Sequence, residues 1–342
     1  MLRSAWFCML AWAALTAGVA AQLVAASGTP TLASARDLVT EGRLDEALRE
    51  LDALAGQEPE AAGVERLRGI VNYQQNHLAE AEGDFTRAVQ QDPADLQSMQ
   101  MRGIVLFRMN QPEKAIPILE KAHSSAPVAN ADPNYVLALC FIATQRYDDA
   151  RHAFAAQYGF APDSAAAWLF TARMLFRQEL TGPATAAATQ ALKIDPHIPL
   201  AHRLLGEIAL AKGDVTGAVA ELEQERKLDP LDGETYNRLG DAYLRSGQLD
   251  RAQQSLDRAV LLEPDASGPY ILLGKTMLEQ HDPVMAAMYL QHAEAMDPSN
   301  PMTHMLLGRA FAVSGRKQDA QREFQLLQKE QGAGTAAPSQ QP

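Results

Sequence analysis

From residue 28 onward, apolar side chains recur at spacings of three and four, the period of one face of an α-helix. The apolar blocks come in pairs separated by short polar turns, and the pairs themselves repeat. Prolines stand at Pro59, Pro93, Pro127, Pro162, Pro196, Pro230, Pro264 and Pro298, at intervals of 34 residues except for a single 35 between Pro127 and Pro162. Counting back from each proline divides the chain into units starting at residues 28, 62, 96, 131, 165, 199, 233, 267 and 301. With one inserted residue, Asn130, the nine units fill residues 28–334. A fixed period of this size marks a stack of identical supersecondary units.

Within a unit the eighth position is small: Ala35, Gly69, Gly103, Ala138, Ala172, Gly206, Gly240, Gly274 and Gly308. The twentieth is alanine in all nine, from Ala47 to Ala320. Such invariance within one chain predicts two helices that cross too closely for a larger side chain. Position 24 is large and apolar, as in Leu51, Phe85, Leu119, Phe154, Leu222, Leu256, Leu290 and Phe324, with Ala188 the exception. Positions 4, 8 and 11, and again 20, 24 and 27, are each one helical face, so a unit is helix, turn, helix. Gly42, Asn76, Asn110, Gly213, Gly247 and Gly315 at position 15 predict the left-handed backbone that closes a first helix. Asp132-Pro133 and Asn300-Pro301 predict capped helix starts with proline in the first turn.

The stretch ETYNRLGDAYLRSGQLDRAQQSLDRAVLLEP at 234–264 resembles the tetratricopeptide repeat family, and the same pattern runs through residues 28–334. The resemblance implies an all-α fold, a right-handed superhelical solenoid in which neighbouring units share one core. It further implies that first helices line a concave groove, with positions 2, 5, 9, 12 and 13 pointing inward. Those positions carry Arg36, Arg66, Arg108, Arg173, Arg177, Arg203, Arg245, Lys275 and Arg309 against Asp132, Glu207, Glu234, Asp241 and Glu279, a lining of net +4. The densest cluster is Phe107, Arg108, Tyr135, Leu139, Ile142, Leu169, Arg173, Phe176 and Arg177. Aromatic and arginine side chains are the usual anchors of binding hot spots, and Arg173 and Arg177, four apart, can clasp one carboxylate. A peptide or partner protein with an acidic segment is the expected ligand. Arg203 and Asn237 match two members of the family's clamp for a chaperone C-terminus, but Glu207 and Asp241 stand where that clamp needs neutral or basic residues.

Composition narrows the alternatives. A net charge of −12 argues against a nucleic-acid coat. Two cysteines, Cys8 and Cys140, are too few for a Cys-rich zinc site or a disulfide framework, and Cys140 reads as a helix-packing thiol. No His-Glu-x-x-His or Gly-x-Ser-x-Gly occurs, and Gly274-Lys275-Thr276 has Pro269 where a phosphate loop needs glycine. The histidines lack metal spacing: His202 and His304 fall at position 4, a packing position, and His281 at position 15. Neither a cofactor nor catalysis is expected. Trp168, Tyr236 and Tyr270, also at position 4, are expected in the core, and Tyr135 at position 5 is expected free.

Residues 1–21 have the layout of a secretory signal, one Arg, an apolar run and small residues at Gly18, Ala20 and Ala21; an uncleaved membrane anchor is the alternative. Either places the repeats outside the cytoplasm, in the periplasm or secreted, and only a retained anchor would touch membrane. Residues 22–27 are a short linker, and the tail, block 335–342 within the small-residue run 332–342, is expected to be disordered. The leading functional expectation is a non-catalytic scaffold for a peptide or partner protein, in envelope assembly or secretion. The alternative is self-association through the terminal units, where Met302, Met305, Leu306, Leu307 and Phe311 offer an apolar helix face, giving a homodimer.

Overall fold

A computed structural model describes residues 29–57, 61–124 and 133–336. The expected signal segment and linker, Asn130 and Asp132 lie outside the described residues. The chain divides into two compact units, Met1–Tyr158 and Gly159–Pro342. In the first, eight described helices form four pairs: α1 (Leu32–Thr40) with α2 (Leu44–Ala55), α3 (Val64–Gln74) with α4 (Leu78–Gln91), α5 (Leu96–Arg108) with α6 (Pro112–Ser124), and α7 (Pro133–Ala143) with α8 (Tyr147–Tyr158). In the second, ten form five pairs: α9 (Ala165–Arg177) with α10 (Thr181–Ile194), α11 (Ala201–Ala211) with α12 (Val215–Leu228), α13 (Gly233–Arg245) with α14 (Leu249–Leu262), α15 (Ser267–Glu279) with α16 (Pro283–Met296), and α17 (Pro301–Val313) with α18 (Lys317–Ala336). The described residues contain no strand.

The small residue at position 8 faces the large one at position 24 of its own pair. A Cβ added to Gly103, Gly240 or Gly274 would sit 2.4 Å from Leu119, Leu256 or Leu290, and one added to Gly69 would sit 2.8 Å from Phe85. The alanines at position 20 are all buried, eight of them completely. Close crossing therefore comes from a missing methyl on one helix and a branched or aromatic side chain on the other.

Every pair turns the same way. Position 15 has positive φ in all nine pairs, including Gln145 (60°), Glu179 (61°) and His281 (63°), which the sequence did not mark as turn formers. The N–H of the next residue bonds back to the carbonyl five residues earlier, as from Arg43 to Leu38, Leu180 to Leu175 and Arg316 to Phe311. That ring satisfies an orphan carbonyl of the first helix and fixes its turn even where the residue resists the left-handed region.

Starts are capped by side chains at Asp95, Ser164 and Asn300, the last followed by proline as expected. At the other end, α18 continues to Ala336, into the run 332–342 expected to be disordered. Once a helix is nucleated each further residue adds a backbone bond, and this outweighs the roughly 1 kcal/mol that each glycine costs at Gly332 and Gly334. Cys140 is fully buried, and burial pushes its thiol up to about 12, so it packs rather than reacts.

The first unit also buries charge. Asp84 accepts from Asn72 Nδ2 at 2.7 Å, pairs with Arg68 Nε at 3.1 Å and meets the Arg87 guanidinium, which also holds Glu65 at 2.9 Å. Burial pushes Asp84 up to about 6 despite these partners.

Candidate functional site

The site forms between α9 and α11 of the second unit. Ser164 accepts from the N–H of Ala167 and fixes the start of α9, which presents Leu169 and, one turn on, Arg173. The start of α11 is built differently. Leu200 precedes it with φ 70°, a left-handed conformation that a leucine resists. What holds it is Glu225 of α12, completely buried, which accepts from the backbone N–H of Leu200 at 2.7 Å and of Arg203 at 3.2 Å. A carboxylate there satisfies two orphan donors and sits at the positive end of the helix dipole. Arg203 in turn donates from Nη1 to both oxygens of Asp232, at 2.7 and 2.9 Å, with both side chains 13% exposed.

The result is a cavity of about 190 Å³ walled by Phe160, Leu169, Phe170, Ile198, Leu200 and Leu204, with Arg173, Arg203 and Glu207 at its polar edge. Phe160 and Phe170 meet at 6.3 Å with planes tilted by 53°. Arg173 is exposed, as is Arg177 one turn along the same helix, and neither has an acidic partner among the described residues. Glu207 lies 3.4 Å from Arg238, which also pairs with Glu234 at 2.7 Å. An apolar cavity with an unneutralised guanidinium at its mouth can take up an apolar side chain beside a carboxylate.

The remaining expected residues are placed as follows. Phe176 is half-buried on α9. Asn237 lies away from this cavity, in one of about 350 Å³ with Arg238, Asp241, Arg245 and Lys275, where it donates to Glu234 at 3.1 Å. In the first unit, Phe107 and Leu139 are half-buried and Ile142 is core. Arg108 donates to Asn76 Oδ1 at 2.9 Å and lies over the Tyr73 ring at 4.9 Å. Tyr135, expected free, packs on Phe154 with ring centroids 5.9 Å apart, because position 5 here faces the second helix of its own pair.

The expected net +4 lining is also corrected. Arg66 and Arg203 are neutralised by Asp95 and Asp232, partners outside the counted positions, while Arg245 pairs with Asp241 of the lining itself. Likewise, Leu306, Leu307 and Phe311 are buried in the core of the last pairs, so the apolar face of α17 is largely covered, leaving Met302 and Val313 exposed.

Sequence reasoning missed Phe160, Leu200 and Glu225. The last had a readable signal: position 27 holds Ala or Leu in seven units and a polar residue only at Gln157 and Glu225. Both polar residues cap the first helix of their own pair, Gln157 through the N–H of Tyr135.

The family comparison agrees with this architecture. Residues 53–297 match the family described as the cilia and flagella-associated protein 70 C-terminal domain, a tetratricopeptide-repeat family, and the chain belongs to it. No curated protein matches. Similar solved structures include MamA (20% identity, TM-score 0.45, 48% of this chain and 97% of that one) and MamA from Desulfovibrio magneticus RS-1 (20%, 0.46, 50% and 97%). The Cut9-Hcn1 hetero-tetramer of the APC/C is similar at 20% identity and TM-score 0.45, over 82% of this chain and 55% of that one. At these identities the likeness is one of fold alone.

Proposed function

We propose that the chain is a non-catalytic interaction scaffold that binds an extended segment of a partner protein, seating an apolar side chain between α9 and α11 and an acidic one on Arg173 and Arg177. The observation that carries this reading is the apolar cavity bordered by Arg173, whose charge no described side chain neutralises. Cavity and cation supply the two elements of a hot spot, a desolvated anchor and a charge-assisted contact at its rim. The N-terminal apolar run supports export, to the periplasm or beyond, with envelope assembly or secretion as the setting.

A peptide-display selection on the chain tests the reading. The expected result is enrichment of sequences with a large apolar residue followed within a few positions by Asp or Glu, abolished by Arg173→Glu with Arg177→Glu at unchanged melting temperature. Enrichment indifferent to those substitutions would overturn it.

A further inference from the structure

One buried histidine is surrounded in a way that packing alone does not explain. His304, on α17, is 2% exposed, and its Nε2 lies 2.9 Å from the Pro298 carbonyl. A carbonyl only accepts, so Nε2 carries the hydrogen and donates it. The other nitrogen, Nδ1, faces two carboxylates from two further helices: Glu323 Oε2 of α18 at 2.8 Å and Glu294 Oε1 of α16 at 4.0 Å. Glu323 is 4% exposed and Glu294 27%. A ring nitrogen and two carboxylate oxygens turned toward one point need a positive charge between them, a proton or a metal cation.

Geometry and an internal control separate the two. The three ligand atoms lie within 4.8 Å of one another. With sides of 2.8 and 4.0 Å, such a triangle has a point about 2.0–2.4 Å from all three atoms, close to the bond lengths of zinc with histidine nitrogen and carboxylate oxygen. The Nε2–H bond to a backbone carbonyl is the outer contact that orients a metal-binding imidazole. Repeat six carries the same His–Glu pair at the same two positions, His202 Nδ1 and Glu221 Oε2 at 2.7 Å. There the place of Glu294 is taken by Leu192, half-buried against the Trp168 cluster, and the pair is 20% and 36% exposed. A single hydrogen between the two side chains satisfies that pair. The last repeats add a third donor and bury two of the three.

From this contrast we infer that Glu294, His304 and Glu323 form a binding site for one divalent transition-metal ion of the zinc type, tying α16, α17 and α18 together at the end of the described array. Three protein ligands with the partly exposed Glu294 on the solvent side leave a fourth position open to water or to a donor from a bound partner. The inference stands apart from the α9–α11 cavity and survives its failure.

Calorimetric titration of the chelator-stripped full chain with zinc chloride tests it, alongside Glu294→Gln, Glu294→Ala and, as control, Glu221→Gln. The expected result is one zinc per chain in the wild type and in Glu221→Gln, with binding weakened at least about tenfold in both Glu294 variants and a zinc-dependent rise in melting temperature lost with it. Cobalt substitution should give the visible absorption of a low-coordinate nitrogen–oxygen site in wild type and in Glu221→Gln, and not in the Glu294 variants. Absence of zinc binding, or equal binding by wild type and both Glu294 variants, would overturn the site and leave a proton between His304 and Glu323.

Discussion

Repeats two and six are built on the same local plan and decorated for opposite ends. Each starts its first helix after a residue in the left-handed region, Gly63 (89°) or Leu200 (70°). Each then clamps an arginine three residues on to the aspartate that ends the repeat, just before the next helix, Arg66 to Asp95 at 3.2 Å and Arg203 to Asp232 at 2.7 Å. The space beside the clamp differs. In repeat two, about 440 Å³ is lined by Ala62, Gly63, Arg66, Gln91, Asp92 and Asp95, a largely polar wall with two carboxylates. In repeat six, about 190 Å³ is lined by leucine, isoleucine and phenylalanine with Arg173 at the edge. The repeat thus supplies a concavity at each such start, and a few side chains decide whether it can desolvate a ligand.

The units that hold the two cavities should also respond oppositely to acid, and this is the largest effect expected. The pKa of Asp84, near 3.8 unfolded and raised to about 6 in the fold, means that the native first unit binds the extra proton. Stability should therefore fall as pH rises from about 4 to about 6, by up to about 3 kcal/mol, and level off above. In the second unit, burial of Glu223 is outweighed by hydrogen bonds from Tyr243 and Arg226, which hold its carboxyl below the usual range, so its contribution is lost on acidification. Melting curves between pH 4 and 7 for wild type and Asp84→Asn check this: the variant should lose the acid-side gain.

Next in size are the clamps themselves. Asp232→Ala leaves Arg203, 13% exposed, without its partner and should destabilise by about 2–3 kcal/mol. Asp95→Ala removes a cap and the partner of Arg66, which is 33% exposed and can turn to solvent, and should cost about 1 kcal/mol. Chemical denaturation of both variants, with the larger loss in Asp232→Ala, would sharpen the contrast; equal losses would remove it.

How far the sequence could be read follows from where the information lies. The period, the helix pairs and the close crossing were legible because steric exclusion writes itself into eight of the nine units, a Gly or Ala at position 8 against Leu or Phe at position 24, with Ala188 the exception. Most turns were legible through Gly and Asn, yet Gln145, Glu179 and His281 take the same backbone because the helix-closing bond around them is stronger than their residue preference. Leu169, Arg173 and Arg203, which line the cavity, stand at positions the sequence singled out. That Arg203 is neutralised was not legible, since its partner lies 29 residues away, at the last position of the repeat. Leu200 gave no signal, because its conformation is imposed by Glu225. The smallest expected effect tests this: Glu179→Gly relieves a left-handed glutamate and should raise stability by up to about 1 kcal/mol in thermal melts.

The central claim is that the repeat-six cavity, and not its repeat-two counterpart, is the binding site. The most direct test is the affinity of a display-selected apolar–acidic peptide for wild type, for Ala166→Phe, which fills the cavity beside α9, and for Gln91→Phe, which fills the other. The account predicts at least about tenfold weaker binding, some 1.4 kcal/mol, for Ala166→Phe and unchanged affinity for Gln91→Phe. Unchanged affinity in Ala166→Phe, or a loss confined to Gln91→Phe, would contradict it.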